Sequence, residues 1–140
     1  MKHWSADYIG IPHGEFGFSR QACNCWGLVV LVYGEQLGIA LETYAGRYAS
    51  LEEQREIAAL VDVERANPVW RRVDHPQPFD VISVRQGRYA SHVGIVAAAG
   101  SMLHTTAGSH ARIEAYTTPL WQSRLSGFYR HREMVLRGAA

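Results

Sequence analysis

Three side chains of the 140-residue chain have the types and spacing for thiol chemistry: Cys25, His92 and His104. Cys25 stands in Cys23-Asn24-Cys25-Trp26-Gly27-Leu28-Val29. Asn24 is a good N-cap residue, so Cys25 falls near the first position of a helix. Unpaired N–H groups and the helix dipole favour negative charge there, and a thiolate is such a charge. A free thiol titrates near about 8.5 and is only a few per cent ionised at neutral pH, so a base must lie beside it. His92 opens one apolar run and His104 ends the next; a hairpin of roughly ten residues between them brings the two rings close. In this reading Cys25 is the nucleophile. His92 takes its proton and later protonates the leaving amine. His104 holds the His92 ring in the right tautomer. A thiolate–imidazolium pair at a helix end is expected to draw the cysteine pKa well below about 7. The backbone N–H groups at that end are placed to hold an oxyanion.

Plainer readings compete. Cys25 also suits a buried apolar thiol, since free cysteines are often buried. Cys23 reads as structural. A zinc site from Cys23, Cys25, His92 and His104 has the right ligand types. Against it, Cys-x-Cys is tighter than the usual zinc pair, and residues two apart on a helix face different sides. No metal or cofactor is therefore expected. His3, His75, His110 and His131 lack context and read as surface residues. Trp26 is either a wall of the pocket or core packing. Ser91 either borders the cleft or simply opens a strand.

These residues need elements to hold them. Apolar residues dominate from Trp26 to Leu37, which predicts a helix over 24–37, buried on most sides and stopped by Gly38. Residues 3–22 form a loop-rich opening, with Trp4, Tyr8 and Ile9 as anchors, Gly10, Pro12, Gly14 and Gly17 as breakers, and Ser5 or Asp7 as a cap. Ser50 and Glu53 make a capping box that opens a second helix over 51–65, ended before Pro68. From Val69 the pattern turns to short β-like runs at 70–73, 80–84, 92–98, 102–105, 113–116 and 127–132. Turns fall at 75–78, 86–88 and 100–101, and one helical turn at 118–121. Residues 133–140 read as a loose tail. Helices first and hairpin-linked strands second predict an α+β fold with an antiparallel sheet.

The whole chain bounds the rest. Its length suits one domain spanning 1–140, and 47% hydrophobic with 19% charged residues is an ordinary globular balance. A net charge of +1 gives no nucleic-acid footprint. No apolar run reaches the length of a membrane span. The opening residues 1–7 lack the apolar core of a signal peptide, which predicts synthesis in the cytoplasm without export by the general secretory route.

The same residues carry a resemblance. Asn24-Cys25-Trp26-Gly27-Leu28-Val29 is similar to the Asp-Cys-Ser/Trp-Gly-Leu/Phe-Val motif of NlpC-type cell-wall cysteine peptidases. Ser91-His92-Val93-Gly94-Ile95-Val96 resembles that family's first histidine strand, and Met102-Leu103-His104 its second. Pro78-Phe79-Asp80-Val81-Ile82 occupies its Pro-Gly-Asp-Val-Val position. Tyr8-Ile9-Gly10-Ile11-Pro12, Leu31-Val32-Tyr33, Gln36-Leu37-Gly38-Ile39, Tyr44-Ala45-Gly46-Arg47-Tyr48 and Gly127-Phe128-Tyr129-Arg130-His131 resemble the phage-tail branch.

The resemblance implies a papain-like α+β domain, with N-terminal helices packed on an antiparallel sheet. It implies hydrolysis of a peptide bond in peptidoglycan stem peptides, typically between γ-D-glutamate and a diamino acid. The phage branch implies local wall opening or tail assembly, tail proteins as partners and a place in the virion. The alternative is a weakly active or inactive structural tail component of the same fold. The chain departs from the pattern in three places. Asn24 replaces Asp beside the nucleophile, which keeps the cap but removes a charge from substrate recognition. The family's oxyanion Tyr falls near His13, so either His13 is the donor, with Tyr8 the second candidate, or the backbone alone serves. Phe79 replaces the turn glycine, a structural change. Trp26, Ser91 and Asn24 are the candidate substrate contacts.

Overall fold

Asn24 decides where the first helix starts. In the computed structural model, which describes residues 2–14, 17–44, 61–86 and 89–139, its backbone is extended and its side chain accepts from the Gly27 N–H. Helix α1, Cys25–Val32, follows, with Gly27, Leu28, Val29 and Val32 buried. Three valines in one helix run against intrinsic propensity, and burial of the helix outweighs that cost. The helix widens into a π-helical turn over Tyr33–Leu37 and stops at Gly38, whose φ of 68° is the left-handed C-cap geometry. Thus the helix expected over 24–37 is present, with its last turn wider than expected.

The described residues form eight strands, in sequence order: β1 Phe18–Ser19, β2 Ala22–Cys23, β3 Trp70–Val73, β4 Val81–Gln86, β5 Tyr89–Ala98, β6 Ser101–His104, β7 Arg112–Ala115 and β8 Leu125–His131. β1 and β2 form a small hairpin. The other six make one antiparallel sheet in the order β3-β8-β4-β5-β6-β7. Alternation along the strands splits the core in two. Val81, Val93, Ile95 and Leu103 face α1 with Leu28, Val29 and Val32. Ile82, Val84, Val96 and Met102 face the other way, with Tyr116 and Trp121. The α+β class and the antiparallel sheet are as expected.

Several local expectations are corrected. The cap of the first turn, a 3-10 helix over Trp4–Tyr8, is His3, whose ring accepts from the Ser5 N–H; neither Ser5 nor Asp7 has that role. Cys23 lies on β2 and so does not share a helix with Cys25. The β5–β6 turn is Ala99-Gly100, one residue earlier than expected, and Gly100 has φ 82°. The tail expected to be loose is a helix, Arg132–Ala139, begun by the His131 ring accepting from the Glu133 N–H and tied down by Arg137 on the Leu37 carbonyl. His131, expected at the surface, is buried against Trp70 and Tyr33. Of the second helix, residues 61–65 are helical; the capping box at Ser50 and Glu53 lies outside the described residues. So do Ala45, Gly46, Arg47 and Tyr48 of the Tyr44 motif, and Gly87 and Arg88 of the expected turn.

Phe79 takes a backbone state that favours glycine. Its φ is 75°, in the left-handed region. The ring stacks on Trp4 at 4.4 Å, and the Tyr33 hydroxyl donates to the Phe79 carbonyl. Packing thus holds a conformation that the backbone alone disfavours.

Candidate active site

Cys25 is fixed by the residues on either side of it. Asn24 Oδ1 accepts from the Gly27 N–H at 2.6 Å and uses one of the free donors at the helix end. Gly27 has no room for a side chain, since a Cβ there would stand 2.0 Å from the Gly17 carbonyl oxygen. That same oxygen accepts from the Asn24 N–H at 3.0 Å. The backbone just before β1 therefore lies directly over the first turn of α1. Cys25 is half-buried, while Cys23 is sealed in the core.

The resting thiol is not activated in the expected way. Burial raises the Cys25 pKa, and the backbone N–H groups of Val93, Trp26 and Cys25 itself offset this only in part. The expectation of a strongly lowered value is corrected, because desolvation of the sulfur outweighs the helix end. Cys23 is also pushed up, to about 11, by burial and by the neighbouring Cys25. The Val93 N–H places the Cys25 sulfur against β5, one residue from His92.

His92 and His104 meet as the strand pairing requires. Ile95 pairs with Leu103, which sets Gly94 opposite His104 and puts His92 on the same face of the sheet. A Cβ on Gly94 would stand 3.1 Å from the His104 Cβ, so the glycine leaves the space into which the His104 ring leans. His92 Nε2 and His104 Nδ1 are 2.8 Å apart, and both rings are buried. Trp121, carried on the short helix Pro119–Gln122, stacks on His92 at 6.1 Å and meets His104 edge-on at 5.2 Å.

A fourth group, not foreseen from the sequence, continues this array. His104 Nε2 lies 2.8 Å from Glu114 Oε1, on β7. The other carboxylate oxygen accepts from the Trp121 indole N–H at 2.6 Å. Arg112, paired with His104 in the register, brings its Nε to 3.5 Å from Glu114 Oε1. A signal was present: alternation along Arg112-Ile113-Glu114 places Glu114 on the His104 face once β6 and β7 are paired.

The electrostatics follow from burial. His92 is lowered to about 3 by burial, with His104, Arg112 and His13 acting in the same direction. Burial also lowers His104, and its bond to Glu114 opposes this in part. Burial acts to raise Glu114, but hydrogen bonds from Trp121 and His104 outweigh it, and its pKa lies below the usual carboxylate value. Two neutral imidazoles therefore stand between the thiol region and an ionised carboxylate.

The remaining candidates are placed as follows. His13 bridges to Cys23, donates its N–H to the Ser109 carbonyl at 3.2 Å and lies within electrostatic reach of His92. The Tyr8 hydroxyl gives its hydrogen to Glu35 at 2.8 Å and accepts from Gln36, which leaves it no hydrogen for an oxyanion. Trp26 is half-buried; its indole N–H donates to the Glu42 carbonyl at 2.7 Å and its ring lies 6.4 Å from Tyr44. Asn24 is buried and engaged as the cap. The backbone of Ser91 lies in β5; its side chain is outside the described residues. Among the described residues no group of three or more His, Cys, Asp or Glu side chains is arranged to hold a metal ion.

A cysteine at the head of a buried helix, packed on an antiparallel sheet that carries two facing histidines, defines a papain-like α+β domain. The NlpC/P60 family profile matches residues 13–130, and the chain belongs to that family. Solved structures agree on the fold. The NlpC/p60 domain of the peptidoglycan hydrolase SagA is 16% identical, with a TM-score of 0.61, over 90% of this chain and 92% of that one. A lipoprotein-like NLP/P60 protein of Staphylococcus aureus subsp. aureus Mu50 is 22% identical with a TM-score of 0.63, over 91% of this chain and 38% of that one. An NlpC/P60 family protein of Bacillus cereus ATCC 10987 is 22% identical with a TM-score of 0.65, over 91% of this chain and 37% of that one. The chain thus spans well under half the length of the latter two. No curated protein matches the sequence.

Proposed function

We propose that the chain is a thiol hydrolase that cuts peptide bonds in peptidoglycan stem peptides, at the γ-D-glutamyl-diamino acid bond, as a tail-associated wall peptidase of a phage or prophage. The observation that carries this is the buried His92–His104 hydrogen bond at 2.8 Å. It occupies Nε2 of His92, so in this reading Nδ1 is the ring nitrogen that serves Cys25. Membership of the NlpC/P60 family supports the reading, as does likeness to a domain of a peptidoglycan hydrolase.

In this scheme the Cys25 sulfur attacks the carbonyl carbon while His92 Nδ1 takes the thiol proton. The tetrahedral oxyanion is held by the Cys25 backbone N–H at the start of α1 and by His13. The carbon–nitrogen bond breaks as His92 returns the proton to the leaving amine. Water, deprotonated by His92, then opens the thioester and restores the thiol. His104 holds the His92 ring in place. Neutral partners at rest suit this order, since the proton moves as the bond forms. Trp26 and Ser91 border the substrate in this scheme, while Asn24 acts through its cap on α1. A phage chain of this kind is made in the cytoplasm and reaches the wall in the tail, with tail proteins as partners.

One observation favours a weakly active tail component instead: burial keeps the Cys25 thiol neutral. Purified protein and its Cys25→Ala variant, incubated with stem peptides of several lengths, separate the two readings. The hydrolase reading expects a new free amine from wild type alone. No release from wild type at any length overturns it in favour of the structural component.

A further inference from the structure

Glu114 touches neither the thiol nor the ring expected to take its proton, yet its contacts fix where the protons of both histidines lie. A carboxylate only accepts hydrogen bonds, and Glu114 accepts two, one on each oxygen. Oε2 is used by the Trp121 indole N–H at 2.6 Å. Oε1 is 2.8 Å from His104 Nε2, so that nitrogen carries a hydrogen. His104 is neutral, and its Nδ1 is then bare and accepts. The atom facing it at 2.8 Å is His92 Nε2, which must donate. His92 is neutral as well, so its own Nδ1 is bare.

We propose that Glu114 is a positioning residue that sets, through His104, the His92 tautomer whose free Nδ1 accepts the Cys25 proton. The inference rests on the proposed roles of Cys25 and His92. Without an obligatory acceptor at 114, a second pattern becomes open. His104 then carries its hydrogen on Nδ1 and donates to His92 Nε2, and His92 turns a protonated Nδ1 toward the thiol. That form has no base for Cys25. Trp121 belongs to the device because it holds the carboxylate by its second oxygen. The bonds from Trp121 and His104 keep Glu114 an ionised acceptor, and Arg112, at 3.5 Å from Oε1, adds to this.

Glu114→Gln tests this with little change of shape. An amide has one accepting oxygen for two N–H donors, and its NH2 group can donate to a bare His104 Nε2. The measurements are histidine ¹⁵N spectra at pH 7 and the rate of Cys25 alkylation by iodoacetamide. Wild type is expected to show His92 and His104 both protonated on Nε2. Glu114→Gln is expected to show mixed tautomers at both rings and alkylation slower in proportion to the active form lost, by about 2-fold or more. A hydrogen on Nδ1 of either ring in wild type overturns the inference without any variant. Unchanged tautomers and alkylation in a folded Glu114→Gln protein overturn it too. Wild type that shows the expected tautomers but cuts no stem peptide refutes the proposed substrate and upholds this positioning.

Discussion

Gly94 and His104 face each other across β5 and β6 with no side chain between them. A Cβ at position 94 would lie 3.1 Å from the His104 Cβ, 3.1 Å from the Leu103 carbonyl oxygen and 3.3 Å from Ile82. Two of these neighbours belong to the strand that carries His104, so relief must move the histidine strand. Gly94→Ala is expected to cost about 1–2 kcal/mol of stability through overpacking. It is also expected to slow Cys25 alkylation as the His104 ring leaves His92. Urea unfolding and an alkylation time course check both; full stability with an unchanged rate would contradict the tight fit.

Stability should depend on pH through His92. Its folded pKa lies at about 3, whereas the unfolded side chain titrates near 6.5. Between these values the unfolded chain binds the extra proton. Stability is therefore full above pH 6.5 and falls as the pH drops toward 3, by up to about 1.4 kcal/mol per pH unit. His104 and His131 are shifted the same way and add to the slope. Urea midpoints at pH 7 and pH 5 measure this, and His92→Gln should flatten the difference. A midpoint that rises at pH 5 would be the opposite of what burial of a neutral histidine requires.

Two ion pairs should rank by burial. Asp80 is 2% exposed and receives two bonds from Arg130, at 2.9 and 2.7 Å. Arg130→Met strands a buried carboxylate and is expected to cost about 3 kcal/mol. Arg20 and Glu35 form an exposed pair at 2.7 Å, and Arg20→Met is expected to cost about 1 kcal/mol. Equal losses in the two variants would show that Asp80 does not depend on its partner.

Phe79 allows a test of backbone strain against packing. Both Phe79→Ala and Phe79→Gly lose the stack on Trp4. Only glycine is at ease at φ 75°. The glycine variant is therefore expected to be the more stable of the two by about 1 kcal/mol. An advantage for alanine in thermal unfolding would mean that the turn relaxes out of the left-handed region.

Local chemistry made much of this structure legible in the sequence. Asn24 fixed the start of α1, and the short hairpin between the runs at 92–98 and 102–105 brought His92 and His104 close; that they share a sheet face follows from the register of β5 with β6. Edges were less legible, because strand ends depend on the partner: β5 begins at Tyr89 only because it pairs back to Gln86 of β4. The C-terminal helix was missed because its seat on Leu37 and its His131 start are tertiary contacts. The thiol pKa was misjudged for a related reason, since helix-end chemistry is local and desolvation depends on everything packed around the sulfur. Glu114 went unnoticed because its role follows from the pairing of β6 with β7.

Cooperation of the Cys25 sulfur with the His92 ring is the centre of the account, and alkylation tests it most directly. Iodoacetamide should modify Cys25 well before the sealed Cys23, but burial alone explains that order. The decisive comparison is Cys25 in wild type against Cys25 in a folded His92→Ala variant. Slowing by about 10-fold or more is the predicted result, in line with loss of a general base; equal rates in the two proteins would contradict the pairing.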